Sequence, residues 1–293
     1  MKVLVLGSSG QLGQCLYNLL YDSLNQVIFT SRSQLNIINL DKTREYILSN
    51  NPDVIINATA YTSVDLAEDE YEMADLVNNI AVSNIAEICQ ELGCWLIHIS
   101  TDYVFDGSSN IAYKEIDETN PKGVYGQTKL RGEQSIKFSK CKYIILRTSW
   151  LFSENGNNFL KTMIRLGSER ETITVVGDQT GCPTYAPNLA MAIVEIVTNL
   201  VGAKHVSGVF HYCGNTQCSW FEFALEIFSV AKIYGFKVPK EIISISSSEF
   251  KTRAHRPMYS ALDNSKIYNI FGINSSDMRS SLEIALLKIK NLG

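Results

Sequence analysis

The first half of the chain is written in short apolar runs separated by stretches of helical period. KVLVL (2–6), QVIFT (26–30), DVIINAT (53–59), WLIHIS (95–100) and YIILRTS (143–149) are almost continuously apolar. Runs of that kind suit parallel strands covered on both faces. Between the first two, Leu12, Cys15, Leu16, Leu19 and Leu20 recur at three- and four-residue intervals and make one apolar helix face. Ala67 to Leu92 has a similar, longer pattern. Alternation of strand and helix predicts parallel βαβ units, hence an α/β fold built on a doubly wound parallel sheet.

After Trp150 the regularity weakens. Gly/Asn-rich SENGNN is followed by ITVVGDQTGCPTY, a helix-like stretch near 188–200 and a strand-like GVFHYC. With no repeat or linker separating the parts, the expected organisation is a first domain of residues 1–150 plus about 185–215. Residues 151–184 and 216–293 are expected to form a smaller C-terminal α/β lobe.

Composition removes several function classes. The 293 residues are 45% hydrophobic, enough for a full core. Twenty-six basic and 30 acidic residues give a net charge of −4, without the Lys/Arg-dense segment that nucleic acid or an anionic membrane would require. No apolar run reaches the roughly 18 residues needed to span a bilayer, and Met1 leads straight into KVLVLG without a signal-like n-region. A soluble, unprocessed, cytoplasmic protein is expected. The seven cysteines (15, 89, 94, 141, 182, 213, 218) form no Cys-x-x-Cys pair and read as reduced, several of them buried. The histidines at 98, 205, 211 and 255 also lack ligand spacing, so no metal is expected.

GSSGQLG places Gly7, Gly10 and Gly13 directly after an apolar strand and at the start of a helix. Glycines there permit a tight turn and close approach to a pyrophosphate, and the helix N-terminus presents free N–H groups. A dinucleotide-binding Rossmann-type domain follows, and the Gly-x-x-Gly-x-x-Gly spacing looks like that of short-chain dehydrogenases/reductases. A carboxylate at the end of the second strand would favour NAD; this chain reads Thr30-Ser31-Arg32, and Arg32 suits the 2′-phosphate of NADPH, with NADH also possible.

Of fourteen tyrosines, only Tyr125 is followed four residues later by a lysine, Lys129, which on a helix lies on the same face. A free phenol titrates near pH 10, and a neighbouring cation favours the phenolate, which would let Tyr125 exchange a proton near neutrality. A hydroxyl at the end of the fourth strand, Thr101 or Ser100, would hydrogen-bond a reacting carbonyl oxygen.

With the nucleotide loop and ISTDYVFDG…YGQTKLRGE in hand, the chain resembles the dTDP-4-dehydrorhamnose reductases, an extended branch of the short-chain superfamily. NATAYTSVDLAE (57–68), LRTSWLF (146–152), GNNFLKTM (156–163), DQTGCPT (178–184) and RPMYSALD (256–263) extend the resemblance over nearly the whole chain. It implies Thr101, Tyr125 and Lys129 as catalytic groups, and Gly10, Gln11, Leu12, Ala60, Tyr61 and Thr62 at the cofactor. Asn36 and Ile37 fall where relatives contact adenine, often with Asp in place of Asn36. Asp102, Trp150, Asn158 and Lys161 are implied at the sugar, and Arg256 at the diphosphate.

The implied reaction is NAD(P)H-dependent reduction of dTDP-4-dehydro-L-rhamnose to dTDP-L-rhamnose for surface polysaccharide, by a monomer or homodimer. Some relatives hold Mg²⁺ through acidic residues at a dimer contact. Here those stretches read Gln14-Cys15 and Pro187-Asn188-Leu189, without carboxylates. Two other readings share the fold. A nucleotide-sugar dehydratase or epimerase would keep the Tyr/Lys pair, but a dehydratase needs an Asp-Glu pair where this chain has Asp102-Tyr103. A non-catalytic NADP-binding regulatory subunit would keep the fold without turnover.

Overall fold

The apolar runs become the middle of one sheet. The computed structural model describes residues 1–21, 26–201 and 206–292, so His205 lies outside the described residues. Its first five strands fall on the expected runs: β1 (Val3–Leu6), β2 (Val27–Thr30), β3 (Val54–Asn57), β4 (Trp95–Thr101) and β5 (Lys142–Thr148). A sixth, Gly208–His211, completes a parallel sheet whose order from that edge is Gly208–His211, β5, β4, β3, β1, β2.

Period-two alternation sorts the strand side chains into two cores. Val3, Val5 and Ile56 face the Gln11–Leu20 helix and the Ala186–Val201 helix. Leu4, Leu6 and Ile55 face the layer formed by the Leu40–Asn50 and Ala81–Leu92 helices. The chain leaves β1 toward β2 and returns across it to β3, so the sheet's switch point lies between β1 and β3. A crevice opens there at the carboxyl ends of the strands.

The long helical pattern at 67–92 is not one regular helix. It comprises Val64–Ala67, Tyr71–Asp75, a π-helical turn at Leu76–Ile80, and Ala81–Leu92, which ends at Gly93 with φ +67°. The π turn places Asn78 inside the protein. A methyl group on Gly132 of the Val124–Ser139 helix would meet the Asn78 carbonyl at 2.2 Å, so the two helices touch backbone to backbone.

A third core, with Phe152, Leu160, Met163, Phe223, Ile227, Leu282 and Leu286, joins the Phe159–Glu169, Trp220–Ile233 and Met278–Leu292 helices. A parallel pair, Thr172–Val176 with Glu241–Ile245, lies beside it. The remaining strands, Leu151–Phe152 with Thr184–Tyr185 and Thr180–Gly181 with Cys218–Ser219, are two residues long and too short to leave a periodic trace. The Ser265–Phe271 helix turns back to the main sheet, where Ile267 and Ile273 join its core. All seven cysteines are free and buried. Among the described residues, no helix is long and apolar enough to cross a membrane, and no cluster of three or more His, Cys, Asp or Glu is arranged to hold a metal.

Candidate active site

The glycine loop is tight for steric reasons. Gly7 sits at φ +85°, and a side chain there would run into Thr59 and Ala58 at 2.9–3.0 Å. At Gly13 a Cβ would meet the Gly7 carbonyl at 2.1 Å, because the helix starts directly against the strand end. Gly10 caps that helix in an extended conformation with no side chain over its N-terminus, which leaves the first-turn amides of Gln11 and Leu12 facing the crevice mouth.

Beside the loop is a pocket of about 420 Å³ lined by Gly7, Gly10, Arg32, Asn36, Ile37, Ala60 and Tyr61 among others. Sequence positions as distant as 7 and 61 therefore converge on one hollow. Arg32 is exposed at its rim, whereas Thr30 is buried and Ser31 is tied to Ser33 and Gln34. Buried Asn78 holds the Ala60–Thr62 segment: the Tyr61 amide donates to its Oδ1 (2.9 Å), and its Nδ2 donates to the Tyr61 carbonyl (3.2 Å) and to the Thr128 hydroxyl (3.1 Å).

The end of β4 separates the two hydroxyls that the sequence left open. Ser100 points to one face and donates to Glu133 Oε1 at 2.6 Å, inside a buried cluster where Arg147 clamps the same carboxylate at 2.9 and 2.7 Å. Thr101 points to the other face, accepts from the Tyr103 amide (3.2 Å) and donates to Asp102 Oδ1 (3.0 Å). Of the two hydroxyls, Thr101 is the one left outside the Glu133–Arg147 cluster.

Burial pushes the Tyr125 phenol well above its ordinary pKa, with the Thr101 hydroxyl opposing the shift. Lys129 is 1% exposed, and its side chain runs inward to the strand rather than along the helix face. Its Nζ donates to the Ile99 carbonyl at 2.6 Å and stands 3.2 Å from His98 Nε2. Burial lowers its pKa to about 8, with the Glu133 charge opposing. Asp102, 2% exposed, is raised to about 6 by burial, with hydrogen bonds from Ser260 and Thr101 opposing, and its Oδ2 has no partner among the described residues.

A second cleft of about 460 Å³ is lined by Phe159, Met163, Gln179, Trp220, Phe250 and Arg256, with others. Arg256 donates to Asp65 Oδ2 (2.8 Å) and the Tyr103 hydroxyl (3.3 Å), while its Nε is buried without a partner. Trp150, at φ +46°, stacks on Trp220 with ring centres 3.4 Å apart and lies so close over Gly181 that no side chain fits there. Asn158 caps the Phe159–Glu169 helix through Lys161 N, donates to the carbonyls of Ser153 and Asn155, and reaches Gln11 Oε1 at 3.4 Å. Lys161 is not brought to this site. Helical periodicity turns it with Ile164, Arg165 and Ser168 toward a different surface hollow, opposite the cleft-lining Phe159, Thr162 and Met163.

Against known proteins, residues 1–291 match the family described as RmlD substrate binding domain. The chain belongs to that family. A dTDP-4-dehydrorhamnose reductase of Aggregatibacter actinomycetemcomitans is 42% identical over 286 residues, covering 96% of this chain and 97% of the relative. Among solved structures, a dTDP-4-dehydrorhamnose reductase from Clostridium acetobutylicum superposes with a TM-score of 0.92 at 36% identity, covering 99% of this chain and 100% of that one. One from Bacillus anthracis, in complex with NADP, gives 0.88 at 37%, covering 98% and 100%. Asp65, Asn78, Tyr103 and Trp220 touch residues expected at the site, although the sequence reading gave them no role there. Asp65 and Tyr103 lie inside the matching runs NATAYTSVDLAE and ISTDYVFDG, whereas Asn78 and Trp220 lie outside all of them.

Proposed function

We propose that this protein reduces the C4 ketone of dTDP-4-dehydro-L-rhamnose, with NADPH or NADH as reductant, to give dTDP-L-rhamnose for surface polysaccharide, and that it acts in the cytoplasm. The observation that carries this reading is the coincidence of full-length similarity to dTDP-4-dehydrorhamnose reductases with Thr101, Tyr125 and Lys129 gathered at the carboxyl edge of the parallel sheet. The residues present fit a dinucleotide: glycines let the loop pack tightly between the β1 end and the first helix, no side chain covers that helix's N-terminus, and the adjoining pocket has the size and lining for an adenosine. Gly7, Gly10, Gln11, Leu12 and Gly13 would hold the pyrophosphate, Asn36, Ile37 and Ala60–Thr62 would flank the adenosine, and Arg32 would face the 2′-phosphate. When bound, the reduced nicotinamide supplies the hydride.

The chain's own residues supply the rest. Tyr125 keeps its proton in the free protein and so enters the reaction as the acid that protonates the developing alkoxide. Thr101 turns its hydroxyl to the same oxygen, where a hydrogen bond gains most as negative charge grows. Lys129, lowered by burial to a pKa of about 8, can exchange a proton in the working pH range, and it would lie at the nicotinamide ribose of a bound dinucleotide. Arg256, with an unpartnered Nε, takes the diphosphate, and Trp150 and Asp102 flank the sugar. In this reading residues 1–150 plus about 185–215 carry the dinucleotide, and 151–184 with 216–293 form the sugar-nucleotide lobe.

The experiment is to follow loss of reduced-nicotinamide absorbance with dTDP-, UDP- and GDP-linked 4-keto-6-deoxy sugars and to assign the product's C4 configuration by NMR. Turnover confined to the dTDP sugar, yielding the rhamno product, is expected. Turnover only with other carriers, or none with any sugar, would overturn the reading in favour of another nucleotide-sugar enzyme or a regulatory subunit.

A further inference from the structure

Lys129 ends a buried hydrogen-bond chain whose direction can be read atom by atom. The Thr59 backbone N–H, which only donates, meets Asn57 Oδ1 at 3.1 Å, and the Thr59 hydroxyl meets the same oxygen at 2.5 Å. The other end of that amide is therefore the NH₂, and it stands 3.2 Å from His98 Nδ1. An NH₂ group only donates, so Nδ1 accepts, and in a neutral imidazole the single proton sits on Nε2. His98 is fully buried, and burial is the main cause that holds it well below its ordinary pKa, so the ring is neutral. Its Nε2–H then points at Lys129 Nζ, 3.2 Å away, while Nζ donates to the Ile99 carbonyl at 2.6 Å. A donor facing Nζ is satisfied by a lone pair, which an ammonium lacks.

We propose that His98, oriented by Asn57, is a positioning residue that lowers the proton affinity of Lys129 in the free protein. The assignment rests on the reading of Lys129 as a catalytic group and adds what sets its proton count. The charges around it agree. Glu133, one turn along the same helix, would favour the ammonium, but Arg147 from β5 and Ser100 from β4 already occupy its carboxylate, and Lys137 stands 3.9 Å from Oε2. To hold an ammonium in this position, His98 must move its proton to Nδ1, and Asn57 must then turn its NH₂ against the Thr59 N–H. Protonation of Lys129 is thus tied to a rearrangement three residues deep, and it competes with the full donor chain.

Long-range ¹H–¹⁵N spectra of the whole protein, with His98 assigned by its loss in His98→Gln, read the tautomer directly. A neutral ring protonated at Nε2 is expected. Asn57→Asp, which keeps the acceptor for Thr59 and presents a second acceptor to Nδ1, should reverse it. The Lys129 titration is read from its Cε carbon shift in lysine-labelled protein. His98→Gln adds no charge and can turn its carbonyl oxygen to Nζ, so the midpoint should rise by about one pH unit. A wild-type ring protonated at Nδ1, or a Lys129 midpoint that His98→Gln leaves in place, would overturn the proposal. Neither readout depends on turnover. Should Lys129→Met retain wild-type kcat, the catalytic reading of Lys129 fails while the tautomer result still stands or falls by itself.

Discussion

Burial raises the pKa of the Tyr125 phenol further above neutrality, and in the proposed reduction it is the proton donor. Tyr125→Phe keeps the ring and its edge-to-face packing on Tyr103, 5.6 Å between centroids, and removes only the proton. The expected outcome is a fall in kcat of about 10²–10⁴-fold with NADPH affinity unchanged, checked by steady-state rates and fluorescence titration. Retention of more than about a tenth of kcat would assign the proton to another group. Asp102 makes a second case, in stability. Its folded pKa of about 6 exceeds the 3.8 of a free carboxyl, so the folded state binds the proton more tightly. The resulting stabilisation is fully present below the unfolded pKa and is lost as pH rises through about 6, leaving a buried carboxylate that costs about 3 kcal/mol at neutral pH. Asp102→Asn, nearly isosteric, should therefore raise Tm at pH 8 but not at pH near 4 and should lower turnover of the sugar, a trade of function against stability. Thermal melts of the pair across about pH 4 to 8 test this.

The π turn at Leu76–Ile80 is the element with the clearest purpose. One extra residue in the turn rotates Asn78 inward, where its amide fastens the Tyr61 backbone on one side and Thr128 of the Tyr125-bearing helix on the other. The Ala60–Thr62 segment and the Val124–Ser139 helix are thereby fixed to each other by one side chain. Asn78→Ala leaves the Tyr61 amide and carbonyl without these partners. It should cost about 1–3 kcal/mol in denaturant unfolding and raise the KM for NADPH more than it lowers kcat. Equal loss in both kinetic constants would mean that the side chain serves only the helix packing. The backbone contact at Gly132 explains why the helices come close enough for this to work.

At the scale of the whole molecule, two hollows lie in different parts of the chain. The 420 Å³ pocket beside the glycine loop and the 460 Å³ cleft with Trp220 and Arg256 share no lining residue. Ligands that bind only the folded state raise stability by mass action, about 2.7 kcal/mol at a hundred times Kd. NADPH and dTDP should each raise Tm, and together by close to the sum of the two. Arg256→Met should abolish the dTDP increment and leave that of NADPH intact. Loss of both increments would show that Arg256 supports the fold as a whole through Asp65 rather than the diphosphate.

Much of this was legible along the chain because it depends on neighbours in sequence. Strand runs, the apolar face of the first helix, the glycine turn and the Tyr125/Lys129 spacing are local patterns, and the backbone that forms over them has the matching period. Tertiary structure decided what those patterns leave open. Alternation alone says that Ser100 and Thr101 face opposite ways, but only the packing of Glu133 and Arg147 shows which face is occupied. The four-residue spacing puts Lys129 near Tyr125, yet its amine goes to the Ile99 carbonyl and His98 because those groups line the buried side of the helix. Lys161 sits in a family-like run and still turns away, since the helix presents Phe159 and Met163 to the cleft. Arg256 meets Asp65 across 191 residues, and Trp150 meets Trp220 across another connection. No local period encodes contacts of that range; they exist only once the sheet and the hydrophobic cores have brought distant segments together.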